Sequence, residues 1–145
     1  MVGTMKVGDS APVSVQSMTN TDTRDVDKTV LQLAELADAG CDIARVAIPD
    51  SDSAQALRHI VKQTDLPVIG DIHFDYRLAL SAMESGAAGI RINPGNIRSE
   101  RGLKRIAQGA IDHDIPIRVG VNSGSLDAAI LKKHGTAVPA ALVES

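Results

Sequence analysis

The sequence predicts a parallel α/β fold, a (β/α)8 TIM-type barrel of which the 145 residues would supply about the first five βα units. Two observations lead to this class. Short runs rich in β-branched residues alternate with longer segments of helical period, and no linker or low-complexity segment interrupts the alternation. Each predicted strand also has one apolar face and one face that carries polar groups, as a strand of a barrel does.

The competing architecture is a doubly wound five-stranded sheet, which 145 residues would complete. Strands of such a sheet are covered by helices on both faces and should be almost entirely apolar. Here Ile90 and Ile92 alternate with Arg91 and Asn93 in the fourth strand. The terminal run TAVPAALVES has a proline suited to a helical first turn and then stops without a cap, so we expect a barrel cut near its middle.

Five strands are predicted from β-branched content and from the glycine, proline and asparagine residues that bound them. They run over residues 13–18, 43–48, 67–72, 88–93 and 116–122. Side chains alternate with period two, which assigns each residue to a face. The faces that carry polar groups hold Gln16, Arg45, Asp71, His73, Arg91, Asn93, Arg118, Gly120 and Asn122.

Five helices follow the strands, with starts and stops predicted from capping residues and glycines. The first begins at the acidic turn of Asp25 and Asp27 and ends before Gly40; the others start near Asp52 or Ser53, at Asp75, near Ser99 and at Ser125. The third ends at Gly86 and the fifth near Gly135. The residues expected to pack inward are Val26, Val30, Leu33, Ala37, Ala54, Leu57, Val61, Leu78, Ala79, Ala82, Met83, Leu103, Ile106, Ala107, Ala110, Leu126, Ala129 and Ile130.

Composition narrows the partners and the compartment. A formal net charge of -3 without a lysine and arginine run argues against a nucleic-acid backbone or a membrane surface as partner. The first ten residues lack the apolar region of a signal peptide, and no stretch approaches the roughly 18 apolar residues of a membrane span, so we expect a cytoplasmic protein. Cys41 is the single cysteine, expected to be a small buried hydrophobe, and cannot build a disulfide or a cysteine cluster site alone.

The polar faces of the strands would converge at the C-terminal mouth of a barrel. Arg45, Arg91 and Arg118 would repel one another there, so a site that gathers them should bind a multiply charged anion, most economically a phosphate or diphosphate. Gly95 and the turn 122–125 would add backbone N–H groups.

Simpler explanations stay open for each of these residues. An arginine at a strand end is ordinarily solvated or salt-bridged, and NPGN can be only a turn. His73 alone is more often structural; together with Asp71 it could form half of a metal site. The other histidines, His59, His113 and His134, fall on predicted helices or their ends and supply no matching ligand.

Five strings in order and spacing carry a family resemblance: VSVQSMTNTDTRDV, DIARVAIP, DIHFDYRLAL, RINPGNI and RVGVNSGSL. From about Gly8 to the last residue they closely resemble the N-terminal barrel of the 4-hydroxy-3-methylbut-2-enyl diphosphate synthase family. The resemblance implies an oxidoreductase of non-mevalonate isoprenoid biosynthesis that reductively opens 2-C-methyl-D-erythritol 2,4-cyclodiphosphate. It also implies a homodimer, with flavodoxin or ferredoxin as electron donor.

In that family a 4Fe-4S cluster delivers the electrons and is held by a separate C-terminal domain on three cysteines and a glutamate, so its ligands are not in this chain. By the likeness, Arg45, Arg91 and Arg118 match diphosphate-binding arginines, Asn93 and Asn122 match substrate-contacting asparagines, and Asp71 and His73 match a polar pair of the third strand.

The chain also departs from the family pattern. The remaining barrel strands, a downstream basic residue and the iron–sulfur domain are absent, so residues 1–145 would be the N-terminal part of a substrate-binding domain, inactive alone. Cys41 does not match a cluster ligand, and Arg98 stands where a small residue is expected, so the loop there is expected to differ.

Two other functions stay open as alternatives: a non-catalytic, flavodoxin-like binding module, and another phosphate-handling barrel enzyme such as a pterin synthase or an aldolase. A five-unit piece of a barrel would leave two sheet edges and an apolar interior open. We therefore expect this chain to self-associate.

Overall fold

The computed structural model describes residues 1–97 and 99–145, and in these ranges strands and helices alternate along the chain. The strands are β1 (Gln16–Met18), β2 (Ile43–Ile48), β3 (Val68–Ile72), β4 (Gly89–Ile92) and β5 (Ile117–Val119). The α-helices are α1 (Val26–Asp38), α2 (Ser51–Ile60), α3 (Tyr76–Glu84), α4 (Glu100–Asp112), α5 (Ala128–His134) and α6 (Pro139–Glu144), and a 3₁₀ turn spans Ser123–Ser125.

All five strands are parallel and stand in the order β1-β2-β3-β4-β5, so each new strand is added on the same side of its predecessor. A doubly wound sheet reverses this order partway, at the point where its helices change faces. The doubly wound alternative is therefore wrong, and the predicted succession of barrel βα units is confirmed. Within the described residues, α1 to α4 pack against the face of the sheet that carries Val46, Ile72 and Ile90, and we call the opposite face the helix-free face.

The main core lies between the sheet and the helices. Ile90 and Ile92 point into it from β4, as their phase predicted, and Leu57 and Ile106 meet them from α2 and α4. Each is at most 5% exposed. Burying a side chain of this size stabilises the fold by about 1.5–3 kcal/mol.

Side-chain caps set the helix starts. Asp25, Asp75 and Ser99 accept hydrogen bonds from backbone N–H groups of α1, α3 and α4, at the predicted positions. Asp50 caps α2, which begins slightly earlier than predicted, and Asp127 caps α5. The predicted start at Ser125 is wrong, because a 3₁₀ turn is inserted before the helix.

The two edge strands are shorter than predicted, because an edge strand has a pairing partner on one side only. Val13, Val15 and Val119 were expected on helix-packed faces but are 97%, 55% and 59% exposed. Val15 is still bonded to the segment that leads into β2: its N–H donates to Asp42 Oδ2 at 2.8 Å. Three helical alanines predicted to pack inward are exposed: Ala37, Ala107 and Ala129.

The first five residues cover the N-terminal end of the helix-free face. Val2 and Met5 form an antiparallel bridge, with N–H···O distances of 2.8 and 2.9 Å. Val2 packs there against Ile43 and Ile69, which point away from the helices. One end of the helix-free face, which is the concave face of the curled sheet, is thereby filled with apolar side chains. The other end, where the strands terminate, carries the polar side chains.

Three further expectations from the sequence concern Cys41, membrane-spanning helices and Arg98. Cys41 is buried, with its thiol 3.1 Å from the carbonyl oxygen of Ile43, as expected of a small hydrophobe. Across the described ranges, no helix combines the length and the apolar character that crossing a membrane requires. The expectation concerning Arg98 lies outside the described residues.

Candidate anion-binding site

Four residues of the helix-free face lie side by side across the sheet. Ala47 pairs with Asp71, Asp71 with Arg91, and Arg91 with Arg118 in the register of β2 to β5. Arg45 precedes Ala47 by two residues and so shares its face. The register therefore confirms that the three arginines and Asp71 belong to one surface near the C-terminal ends of the strands.

Asp71 joins two of the arginines directly. Its Oδ1 lies 3.1 Å from Arg91 Nη1 and its Oδ2 lies 3.4 Å from Arg45 Nε. The side chain of Asp71 is 5% exposed, whereas those of Arg45 and Arg91 are 25% and 21% exposed. Each carboxylate oxygen of Asp71 thus contacts one guanidinium group. The surface of this cluster that remains exposed to solvent belongs mainly to Arg45 and Arg91.

Charge is unbalanced in this cluster. Arg45, Arg91 and Arg118 carry three positive charges on one face, and Asp71 supplies one negative charge against them. Arg45 and Arg91, which share Asp71 and are partly buried, raise each other's electrostatic energy, while Arg118 is exposed and hydrogen-bonded to Gln16. An excess of two positive charges favours an anion with two ionised oxygens over a neutral ligand.

Arg118 reaches across the concave face. Its Nη1 donates a 2.6 Å hydrogen bond to Gln16 Oε1, although β5 and β1 are the two edge strands of the sheet. The sequence phase had placed Gln16 among the residues around the arginines, and the structure confirms it.

Asn93 follows β4 and is 2% exposed. Its Nδ2 donates to Ser125 Oγ at 2.7 Å, and its Oδ1 accepts from the N–H of Gly95 at 3.1 Å. Both amide atoms are therefore engaged within the chain. The backbone N–H of Gly95, expected to be available to an anion, is taken by this Asn93 turn, which corrects that expectation.

His73 and Asn122 lie on the rim beyond the strand ends. His73 is half-buried, and its ring meets that of Phe74 edge-on, with centroids 6.2 Å apart and planes at 77°. Asn122 is exposed and precedes the 3₁₀ turn, where its N–H donates to Ser125 Oγ at 3.3 Å. Within the described residues, neither side chain is hydrogen-bonded to the arginine cluster.

A cavity of about 870 Å³ occupies the concave face. Its lining includes Gln16, Arg45 and Arg118 together with apolar Met18, Ile43 and Ile69. Asp71 and Arg91 are not among the residues that line this cavity. The volume is in the range of small-molecule sites, and the basic groups lie along its side.

A hydrogen bond attaches the loop after β1 to the C-terminal part of β2, at the mouth of the site. Thr23 is buried and donates from Oγ1 to the carbonyl oxygen of Ala47 at 2.7 Å. Arg24 donates to both oxygens of Asp22, at 2.9 and 2.6 Å, and lies 3.5 Å from Asp50. The Arg24 guanidinium lowers the pKa of Asp22 to about 2.

The described residues do not fit a metal centre or an iron–sulfur cluster. They contain no group of three His, Cys, Asp or Glu side chains that could hold a metal ion. Cys41, the single thiol, is buried beside the carbonyl oxygen of Ile43. Thiolate ligation of a cluster would have to come from other residues.

Two contacts within the site were not predicted from the sequence, although both residues had been placed near it. Ser125 was assigned to a helix start, and only the fold brings its hydroxyl to Asn93. Gly120 was assigned to the same face as Arg118, but its meaning depends on a contact: a Cβ there would lie 2.6 Å from Arg91 Nε. The sequence signal for Gly120 was its place on the face that carries the arginines, where it is a residue without a side chain.

Comparison with known proteins places the whole chain in one family. Residues 1–145 match the family model of the GcpE TIM-barrel domain. The chain is 58% identical over 134 residues to a protein of Desulfotalea psychrophila, covering 92% of this chain and 37% of that protein. It is 52% identical to one of Caldanaerobacter subterraneus and 54% identical to one of Clostridium perfringens, covering 99% of this chain and 41% of each of those proteins.

All three relatives are named 4-hydroxy-3-methylbut-2-en-1-yl diphosphate synthase (flavodoxin). The chain spans about two fifths of the length of these relatives.

Solved structures add a likeness of fold alone. Two mandelate oxidase structures, one with an FMN adduct and one with 2-hydroxy-phenylacetamide, match with TM-scores of 0.50 and 0.51 at 19% and 16% identity. The matches cover 71% and 77% of this chain, and 41% and 43% of those chains.

Proposed function

The chain belongs to the GcpE TIM-barrel family, and from this premise we propose that it is the diphosphate-binding part of a 4-hydroxy-3-methylbut-2-enyl diphosphate synthase. The whole enzyme would be an oxidoreductase of isoprenoid biosynthesis that converts 2-C-methyl-D-erythritol 2,4-cyclodiphosphate reductively to the linear hydroxymethylbutenyl diphosphate. Residues 1–145 would form the N-terminal part of its substrate-binding barrel.

The observation that carries this proposal is the arginine cluster around Asp71. A cyclic diphosphate has one ionised oxygen on each phosphorus, and the cluster has an excess of two positive charges on one face. Guanidinium groups offer paired N–H donors that suit such oxygens. Asp71 would hold Arg45 and Arg91 apart and oriented until the diphosphate arrives, and Gln16 would do the same for Arg118.

The roles of His73, Asn122 and Asn93 in this proposal follow from where these residues lie around the arginine cluster. His73 and Asn122, on the rim, would meet the parts of the substrate that face the mouth of the barrel. Asn93 would act from within the loop it holds together with Ser125. No proton or electron is assigned to any of these side chains.

The electron source and the assembly belong to the same proposal. The relatives' names point to flavodoxin as donor, with ferredoxin as the alternative. We place the 4Fe-4S cluster outside residues 1–145, on a C-terminal domain, because the described residues do not fit it. A homodimer in the cytoplasm, without a nucleic acid or membrane partner, completes the proposal, and the unpaired Cys41 is compatible with a reducing compartment.

Among the alternatives, the flavodoxin-like module has lost its structural basis, because the strand order is not doubly wound. Another phosphate-handling barrel enzyme would use the same arginines for a different phosphate ester. It is distinguished by the ligand that binds, since the cluster charge alone does not choose between esters.

Calorimetric titration with the cyclic diphosphate tests the proposal. We expect the folded chain to bind it and Arg91→Ala to bind at least about tenfold more weakly, which corresponds to the loss of a hydrogen bond between charged groups. Arg101→Ala is the matched control, because Arg101 is an exposed arginine of α4 on the opposite side of the sheet. Equal affinity in parent and Arg91→Ala, or no binding by the folded parent, would contradict the proposal.

A further inference from the structure

The contact between Gly120 and Arg91 assigns a role to a residue with no side chain. We infer that Gly120 is a positioning residue: the empty space where its Cβ would stand is the seat of the Arg91 guanidinium. The inference rests on the proposed function, because it concerns the diphosphate site. It adds a steric requirement that neither the charges nor the family likeness states.

The seat is defined by three atoms of the guanidinium. A Cβ built on Gly120 would lie 2.6 Å from Arg91 Nε, 2.7 Å from Nη2 and 3.0 Å from Cζ. All three distances are shorter than ordinary contacts between such atoms. The planar group therefore lies against the backbone of Gly120, and any L side chain there would push it away.

Asp71 holds the guanidinium from the other side. Its Oδ1 contacts Nη1 of Arg91 at 3.1 Å, from the strand on the opposite side of β4. Arg91 thus lies between a carboxylate of β3 and the backbone that follows β5, and its side chain keeps 21% exposure for an incoming anion. A group pushed off Gly120 would also lose its alignment with Asp71.

The chain after β5 cannot withdraw easily to make room. The N–H of Gly120 donates to the carbonyl oxygen of Ile92 at 2.8 Å. Beyond it, Asn93 is bonded to Ser125 Oγ at 2.7 Å, and a Cβ at Gly95 would overlap the carbonyl oxygen of Ser125. The ends of β4 and β5 are therefore interlocked on both sides of the seat, so the strain of an added methyl group falls on Arg91.

The test is the variant Gly120→Ala, read out in two ways. The first needs no ligand: the Nε–Hε resonance of Arg91, identified by its loss in Arg91→Ala, should shift and broaden. The second is calorimetry with the cyclic diphosphate, in which Gly120→Ala should bind at least about tenfold more weakly than the parent. In an Arg91→Ala background, adding Gly120→Ala should cause no further loss of affinity, because the residue acts through Arg91.

Gly89→Ala is the matched control. It lies on the same face of β4, but its Cβ would meet Pro116 at 3.4 Å, an ordinary contact, and no arginine. Because Gly89 lines the cavity, this control is read on the ligand-free protein, in which we expect an unchanged Arg91 resonance.

Two results would overturn the inference: an unchanged Arg91 resonance in folded Gly120→Ala, or a loss of affinity that persists undiminished in the Arg91→Ala background. If Gly120→Ala fails to fold, the double variant decides, since removal of Arg91 should restore folding if the clash is the cause. If the parent binds no diphosphate, the proposed function fails, and the ligand-free resonance still decides the role of Gly120.

Discussion

Gln16 Oε1 accepts a 2.6 Å hydrogen bond from Arg118 Nη1 across 102 positions of sequence. The two residues belong to β1 and β5, the opposite edges of the sheet. Five flat strands would place these edges about 19 Å apart, farther than the two side chains reach. The sheet is therefore curled as a barrel wall, and this curl brings Arg118 on one edge strand within hydrogen-bonding distance of Gln16 on the other.

Replacing Arg118 and Gln16 in turn should distinguish the contribution of the Arg118 charge from that of its positioning by Gln16. Arg118→Ala removes a cation, and we expect affinity for the cyclic diphosphate to fall by about 1.5–3 kcal/mol. Gln16→Ala keeps the positive charge of Arg118 but removes the hydrogen bond that positions it. We expect it to reduce the affinity for the cyclic diphosphate by about 1 kcal/mol or less. Calorimetry measures both. A larger effect for Gln16→Ala than for Arg118→Ala would contradict the assigned order.

Replacement of Asp71 by the isosteric asparagine should expose the repulsion between Arg45 and Arg91. We expect the free energy of unfolding in urea to fall by about 1–3 kcal/mol, because two partly buried guanidinium groups lose a shared counter-charge. Inorganic diphosphate should recover more stability in this variant than in the parent. Asp65→Asn, on an exposed loop, should change stability by less than about 0.5 kcal/mol. Equal unfolding curves for Asp71→Asn and parent would refute the role.

The ion pair at the mouth of the site makes a pH prediction. Arg24 holds the pKa of Asp22 at about 2, below its ordinary value of 3.8. A lowered folded-state pKa stabilises the fold above about pH 4, and this contribution is lost as the pH falls toward 2. The Asp22 side chain is 51% exposed, so water screens the pair and the titration of the carboxyl group is the suitable observable.

Carboxyl resonances followed by NMR from pH 6 to pH 1.5 should show Asp22 titrating near 2 in the parent and markedly closer to its ordinary value in Arg24→Ala, which loses the guanidinium but keeps the hydrogen bond from the backbone N–H of residue 24. Asp75 is the internal control, because its pKa is lowered by Arg77 and should stay lowered in both proteins. A pKa of Asp22 that stays near 2 in Arg24→Ala would assign the shift to a cause other than the guanidinium.

The interlock between the β4 and β5 loops should be sensitive to a single methyl group. A Cβ at Gly95 would overlap the carbonyl oxygen of Ser125, so Gly95→Ala should lower the free energy of unfolding by about 1–3 kcal/mol. At Gly124 a Cβ would meet only Asn122 Oδ1, at 3.6 Å, so Gly124→Ala should be close to parental. Urea unfolding compares the two. The interpretation fails if the two alanines cost the same.

Self-association follows from the open sheet edges. Val13, Val15 and Val119 are exposed beside edge strands that have one pairing partner each within the described chain. Sedimentation velocity should show dimers or larger species at high concentration. Val119→Lys should reduce them by placing a charge on the β5 edge, whereas Val143→Lys, on exposed α6, should not. A parent that stays monomeric would refute this prediction.

Much of the architecture was readable from local signals. Period-two alternation in GIRINPGN assigned Ile90 and Ile92 to the helices and Arg91 to the other face, because successive side chains of a strand must point to opposite sides. Asp25, Asp75 and Ser99 marked helix starts correctly, because a cap bonds to backbone groups two or three residues away. The strand boundaries at the edges failed, because the length of β1 and β5 depends on which neighbours pair with them.

The sequence by itself determined the class of fold, the face of each strand and the gathering of three arginines, since these follow from periodicity and short-range capping. Only the tertiary structure decided which atoms meet. Asp71 between Arg45 and Arg91, Gln16 on Arg118, Ser125 on Asn93 and Gly120 beneath Arg91 are contacts between segments far apart in the chain. They depend on the curl of the sheet and on the packing of its loops, which no local pattern of residues encodes.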